Sequence, residues 1–290
     1  MTTPCKSALP YTDYRQYLTE RYGGTVYRVP IDVGFGCPNR SAEGEGGCTF
    51  CAGDGARARQ TLRFETVEEQ VATGIEFARK RYGAKRFLAY IQAHTGTFAS
   101  ATRQREALQR VLGAFPFSVV HIGTRPDCLS PPTLEFLQEL ALDVELWIEL
   151  GVQTVHDATL RRVNRGHDWC ASRNAIRQLH EAGLKVAAHV ILGLPGEGAA
   201  QFQQTADTLA REPIDAIKIH NLHVLRASEL AREYWKQVFA IFDEHEYAEI
   251  LIDFLQRLPP RLPVMRLVTD TETSELIAPR WVLSKGQFLE

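Results

Sequence analysis

The chain has no run approaching the roughly 18 uninterrupted apolar residues of a membrane-spanning helix, and its first residues carry no apolar core of a signal peptide. A cytoplasmic protein with no membrane contact is expected. It also lacks any linker rich in Gly, Pro or Ser and any internal repeat. Its 290 residues, enough for two domains, are therefore expected to form one unit (1–290) of a size that α/β barrels commonly reach. Charge of one sign is scarce too: the formal net charge is −2, too little for non-specific nucleic-acid binding. Two local basic runs, Arg57, Arg59 and Arg63, and Arg79, Lys80, Arg81, Lys85 and Arg86, could still meet phosphates, although each also reads as an ordinary solvated face. What is present is the profile of a globular chain, 44% hydrophobic and 23% charged. At this length a compact fold buries roughly 75% of the unfolded surface, so a metal would serve chemistry rather than stability.

The apolar pattern alternates between short β-branched or aromatic runs and longer stretches of helical period, as repeated βα units require. Strands are predicted at 26–32, 87–92, 119–123, 146–152, 186–192 and 217–222, with helices at 66–82, 101–114, 131–141, 170–182 and 199–211. Thr66 and Glu69 have capping-box spacing, Pro131 and Pro132 suit a helix start, and Gly183 suits a helix end. Six parallel strands with helical crossovers predict an α/β fold, a partial or near-complete TIM-type (β/α)6 barrel over about 25–225. A helical C-terminal extension (226–290) is expected, with helices at 228–242 and 245–258 and a short apolar run at 264–268. Function should sit at the C-terminal ends of the strands.

Directly after the first predicted strand stand Cys37, Cys48 and Cys51, with ten residues between the first two and two between the last two. A Cys-x-x-Cys pair can point two thiolates at one centre, and soft sulfur selects zinc, copper(I) or an iron–sulfur cluster. Structural zinc wants four protein ligands, and the next histidine downstream is only at His94, although Cys5 or a distant histidine could fold back. Three thiolates instead suit a [4Fe–4S] cluster whose fourth iron stays open to an outside ligand, whereas electron-transfer clusters usually have four cysteines. Three inert cysteines remain the bland alternative.

This cysteine pattern resembles that of the radical SAM superfamily, in which S-adenosylmethionine occupies the open iron. Phe50, the aromatic before the last cysteine, fits that pattern. Gly123-Thr124-Arg125-Pro126-Asp127, Glu149-Leu150-Gly151-Val152-Gln153, Val163-Asn164-Arg165-Gly166-His167 and Val190-Ile191-Leu192-Gly193-Leu194-Pro195-Gly196 resemble the radical SAM core of Elongator subunit 3. With Ala89-Tyr90-Ile91-Gln92-Ala93-His94-Thr95 and Ile219-His220-Asn221-Leu222-His223-Val224, the chain is most similar to the short bacterial YhcC/YtqA-type family, over roughly 10–285. The resemblance implies Cys37, Cys48 and Cys51 as cluster ligands. It implies Phe50, Gly193 and Pro195 at the adenine, Gln153 at the ribose and Arg165, whose planar fork suits a carboxylate, at the methionine end. The usual Gly-Gly-Glu for the methionyl amine is replaced by Gln92-Ala93-His94-Thr95, leaving Gln92 or Thr95 for that contact. Gly123 stands where Elongator subunit 3 has a glutamate, and only some sixty residues follow the last barrel strand, so the acetyltransferase reaction of that protein is not expected.

The implied activity is reductive cleavage of S-adenosylmethionine to methionine and a 5′-deoxyadenosyl radical that takes hydrogen from a substrate, with RNA the leading class. An electron donor such as flavodoxin or ferredoxin is the implied partner. His94, Arg125, His189, His220 and His223 fall at predicted strand ends as acid, base or substrate groups, and Cys128 after the third strand is a candidate hydrogen donor or nucleophile. For each, a buried structural role is the alternative; Cys5 and Cys170 have no partner spacing. Two other classes compete, a barrel metallohydrolase and a zinc-stabilised RNA-binding protein. The first finds no His-x-His pair and no His-Glu-x-x-His helix, and His220 and His223 should face opposite sides of a strand.

Overall fold

The computed structural model describes residues 9–41, 43–53, 55, 58, 61, 63, 64 and 66–290. All six predicted strands form: β1 is the short Thr12–Asp13, and the six are β2 (Val26–Ile31), β3 (Arg86–Ile91), β4 (Val119–Thr124), β5 (Glu145–Gln153), β6 (Lys185–Leu192) and β7 (Ala216–Asn221). They pair in parallel and in chain order, and the sheet extends from β7 to β9 (Pro263–Arg266) and then to β1, giving eight parallel strands. β1 does not pair with β2, so the sheet curls into an open half-barrel. Alternate strand residues, among them Ile31, Ile91, Ile122, Ile148, Val190 and Ile219, face an outer layer of helices and form the main core.

That layer is supplied by α2 (Val67–Tyr82), α3 (Ala101–Ala114), α4 (Pro131–Leu140), α6 (Trp169–Glu181) and α7 (Ala199–Leu209), each after the strand it covers. The local signals act as read: Thr66 and Glu69 close a capping box, and Ser130 caps α4 just ahead of Pro131. Two elements carry no strong periodic signal. Helix α1 (Tyr14–Tyr22) packs against β9 and β2, bridging the open side, and pushes Tyr14 and Leu18 into the barrel's lower end against Tyr90 and Trp147. The short α5 (Asp157–Arg162) follows β5 directly.

The segment after 225 departs from the helical expectation in two places. The predicted helix at 228–242 is only α8 (Leu230–Trp235), and the apolar run expected at 264–268 is the sheet strand β9. A two-stranded antiparallel ribbon, β8 (Val224–Leu225) with β10 (Leu276–Ala278), lies at the rim, where Val224, Leu230 and Ile277 pack in one cluster with Phe50 of the cysteine loop. Helix α9 (Glu244–Gln256) covers α7 and puts Phe254, fully buried, into the main core; α10 (Lys285–Phe288) closes the chain. Among the described residues no helix is long and apolar enough to cross a membrane. Because Phe254 ties this segment to the barrel, Phe254→Ala should cost about 3–5 kcal/mol and shift the whole unfolding transition. Urea denaturation followed by circular dichroism checks this; a separate early transition would mean the segment folds apart from the barrel.

Candidate active site at the C-terminal strand ends

The C-terminal ends of the strands surround one cavity. Cys37, Cys48, Cys51, Phe50, His94, Gln153 and Arg165 all line it, together with Gln92, Thr95, Arg125, His189 and His220. The loop carrying the cysteines has almost no regular structure, so its backbone polar groups need partners from elsewhere. The Val163–His167 stretch supplies them. Thr49 N–H donates to the Val163 carbonyl at 3.0 Å, Asn164 Nδ2 donates to the Gly47 carbonyl at 2.7 Å, and Asn39 Nδ2 donates to the Asn164 carbonyl. Gly166 sits at φ +80°, where a Cβ would lie 2.6 Å from Asn39 Oδ1. From the other side the Thr49 carbonyl accepts from Leu230 N–H at 2.8 Å, and Arg40 donates to the carbonyls of Gly44 and Ala52.

Arg165 reaches back over the strand ends, donating to the Gly151 carbonyl at 2.6 Å and to Cys48 Sγ at 3.5 Å, while its buried Nε has no partner. Gly151 leaves the space for this: a Cβ there would lie 2.6 Å from Arg165 Nη2 and 2.9 Å from Gln153 Nε2. Gln153 follows a register shift between β5 and β6 and has φ +71°, a left-handed conformation rare for a side chain of this size. Its buried Oε1 lacks a partner, as do Thr95 Oγ1 and Arg125 Nη1. Four residues at or after the ends of three strands, β3, β4 and β5, thus aim unsatisfied polar atoms at one cavity, a pattern that buried groups avoid unless a ligand completes them.

Other candidates fall outside it. Gly193 (φ +100°) faces Leu222 and Phe242, and neither it nor Pro195 lines the cavity; the turn contributes through buried Leu194, which packs in the cluster that holds Phe50. Cys128 lies in a short 3-10 turn after β4 and also misses the cavity; burial, with Asp127 adding to it, pushes its thiol up to about 12, so it is a neutral S–H rather than a nucleophile. His223 is bonded to Asn221 and Thr271, away from the cavity. His220 and His223 do not face opposite sides: β7 ends at Asn221, the chain turns, and the rings stand 5.8 Å apart. Even so, among the described residues no three His, Cys, Asp or Glu side chains converge on a point where a single ion would sit. Cys170 is exposed, and Cys5, Arg57 and Arg59 lie outside the described residues.

Sequence reasoning missed the cavity floor. Glu149 Oε2 accepts from Lys218 Nζ at 2.5 Å and Tyr90 Oη at 2.8 Å, its Oε1 meets His121 Nδ1 at 2.9 Å, and His121 Nε2 meets Tyr14 Oη at 2.8 Å. Burial alone would raise the Glu149 pKa, but the Lys218 charge and the His121 contact hold it well below the carboxylate range; burial pushes Lys218 down to about 8. Inward positions bearing charge on otherwise apolar strands were the available signal.

The Radical SAM superfamily pattern matches residues 31–209, and the Radical_SAM C-terminal domain matches 214–290. The chain belongs to the radical SAM superfamily of enzymes. It is similar to YhcC of Escherichia coli (strain K12), 35% identical over 91% of this chain and 85% of that protein, and to YtqA of Bacillus subtilis (strain 168), 32% identical over 96% and 87%. A shorter match, 27% identical over 54% of this chain and 29% of the relative, links it to a tRNA uridine(34) acetyltransferase of Methanocaldococcus infernus. Among solved structures the archaeal Elp3 of that organism superposes with TM-score 0.73 at 19% identity, covering 91% of this radical SAM chain and 61% of the Elp3 chain. This likeness establishes the shared half-barrel.

Burial holds His167 and His223 at about 4, and His189 and His220 well below their ordinary value of 6.5, so all four are neutral in the fold. Between pH 4 and 6.5 the unfolded chain therefore binds more protons than the folded one, and stability should fall as pH drops through that window. The urea midpoint at pH 5 should lie below that at pH 7.5, with a smaller difference in His223→Asn; equal midpoints would contradict neutral burial.

Proposed function

We propose that this enzyme uses a [4Fe–4S] cluster and S-adenosylmethionine to abstract a hydrogen atom from an RNA substrate. The observation that carries the proposal is the meeting, in one cavity, of Cys37, Cys48 and Cys51 with the unpaired buried atoms of Thr95, Gln153 and Arg165. When bound, the cluster would supply one electron to the sulfonium of S-adenosylmethionine, giving methionine and a 5′-deoxyadenosyl radical. The chain's own part is binding, orientation and exclusion of water. The three thiolates would hold three irons and leave the fourth open. Arg165 Nε is a free donor suited to a carboxylate, Gln153 Oε1 a free acceptor for a ribose hydroxyl, and the Thr95 hydroxyl a free acceptor for the methionyl amine. Phe50, fixed by Leu194 and Leu222, offers an apolar ring beside the cysteines for the adenine. The electron would come from a small donor protein such as flavodoxin or ferredoxin. After anaerobic reconstitution and dithionite reduction the parent should form 5′-deoxyadenosine, and Cys48→Ala should lose at least 100-fold of it along with bound iron. A parent that takes up zinc alone and makes no 5′-deoxyadenosine would overturn the proposal.

RNA is favoured by the partial kinship with a tRNA-modifying enzyme and by a groove beside the cysteine loop. Arg40, Arg226, Arg232 and Trp235, 69% exposed, line that groove next to Cys48 and Cys51. Cations with an exposed ring are what a single-stranded nucleic acid needs, one for phosphates and one for stacked bases. The run Arg79, Lys80, Arg81, Lys85 and Arg86 is exposed but lies at the C-terminal end of α2 and the start of β3, the opposite end of the barrel from the cavity. tRNA should therefore bind with an affinity that falls steeply between 50 and 200 mM salt, and Trp235→Ala should weaken it on the order of tenfold, as loss of one stacked base does. Salt-independent or absent tRNA binding in filter assays would direct the search to small molecules or peptides.

A further inference from the structure

Below the level of Arg165, four register partners form one row across the sheet: Gly151 on β5, His189 on β6, Lys218 on β7 and Arg266 on β9. Arg266 belongs to this row through an irregularity. Ile217 pairs with Val264, but the next residue, Lys218, pairs with Arg266, so β9 carries one extra residue and both Met265 and Arg266 turn inward while Val264 stays in the outer core.

The charges along the cavity wall are unequal. Glu149 is its one carboxylate among the described residues, set against Arg40, Arg125, Arg165, Lys218 and Arg266. Most of these cations are already engaged: Arg40 with carbonyls, Arg125 with Asp127 at 2.8 Å, Arg165 with Gly151 and Cys48, and Lys218 with Glu149. Glu149 in turn is saturated by Lys218, Tyr90 and His121 and needs no further cation. Arg266 is what remains. Among the described residues it makes no hydrogen bond or ion pair; burial and the like charge of Arg28 disfavour its charged form, and only the field of the already saturated Glu149 and of Tyr90 opposes them. Beside it, His189 Nε2 is buried without a partner, and Lys218 has used two of its three N–H donors. A guanidinium held inside a barrel with no hydrogen-bond partner of its own is costly unless a ligand completes it.

We infer that His189, Lys218 and Arg266 form a subsite for an anionic group of the substrate, a phosphate or a carboxylate, held on the lumen wall below the S-adenosylmethionine position. This rests on the reading of the upper cavity as the S-adenosylmethionine site. The planar fork of Arg266 can take two oxygens of such a group, the third Lys218 proton another, and the His189 ring a further one from its adjacent strand. The anion would anchor the substrate while the atom to be attacked points up towards Arg165 and the cysteine loop.

The test uses cluster-reconstituted protein without reductant, with saturating S-adenosylmethionine so that Arg165 is occupied, titrated calorimetrically with inorganic phosphate and separately with acetate. The parent is expected to bind one equivalent of one of them, at least tenfold more weakly in Arg266→Gln and in His189→Asn, with Arg266→Lys in between. Preference for phosphate identifies a nucleotide substrate, preference for acetate a carboxylic acid. If S-adenosylmethionine binds and neither anion does, or if the Arg266→Gln protein binds as tightly as the parent, the subsite is overturned. If S-adenosylmethionine fails to bind while phosphate or acetate still binds through Arg266, the upper-cavity reading falls and the subsite stands.

Discussion

The ionised carboxylate of Glu149 is the constraint on which the barrel interior depends. A charge at that depth survives only with close partners, and they come from four elements: Lys218 on β7, Tyr90 on β3, His121 on β4 and, through His121, Tyr14 on α1. A TIM barrel normally fills its lumen with layers of branched apolar side chains. Here the inward row of β5, β6, β7 and β9 carries Gly151, His189, Lys218 and Arg266 instead, which keeps the middle of the barrel polar and open above the apolar plug of Tyr14, Leu18, Leu88 and Trp147. The same network ties α1 to the sheet, so the element that seals the bottom also helps fix the charge under the cavity.

Above that floor the cysteine loop is held from two directions. Asn39, Asn164 and the Thr49–Val163 bond fasten it to the stretch after α5, and the Leu230–Thr49 bond fastens it to the C-terminal segment. Asn164, at φ +50°, and Gly166, at φ +80°, accept left-handed backbone to make this contact. Arg165 lies between them and is thereby placed beside Cys48. The motif that holds the loop and the residue that reaches the cavity are thus one stretch of chain, and displacing either displaces both.

The regular part of this arrangement was legible because period is a physical signal. Strands buried on the helix side show as β-branched runs, and Thr66, Glu69 and Pro131 mark helix starts by satisfying or lacking N–H groups. Cys37, Cys48, Cys51, Gln153 and Arg165 were legible from their motifs, and the fold brings all five to one cavity. Strand β9 was not legible, since four residues carry too little alternation to separate a strand from a loop, and its extra residue breaks the alternation at Arg266. The pairing of Glu149 with Lys218 joins residues 69 positions apart, which no local pattern reports. His220 and His223 were misjudged because alternation was carried past Asn221, where the strand stops.

Two of the irregularities in the main sheet fall where side chains are needed in the cavity, Gln153 after the shift between β5 and β6 and Arg266 after that between β7 and β9. A regular strand sends every second residue outward, so Arg266 would follow Val264 to the outer face by parity alone, whereas Gln153 already shares the inward parity of Glu149 and Gly151. The extra residue in β9 brings Arg266 inward while Val264 stays buried in the outer row, and the shift in β5 changes the pairing of Gln153 with β6 while Leu150 and Val152 stay in that row. The cost is concentrated where it is used: Gln153 holds a left-handed backbone and Arg266 a buried guanidinium with no hydrogen-bond partner, while the strands around them are ordinary. A sheet whose stability rests on one face and whose chemistry rests on the other can vary the second without losing the first. That separation explains how this core can share the half-barrel of Elp3 at 19% identity.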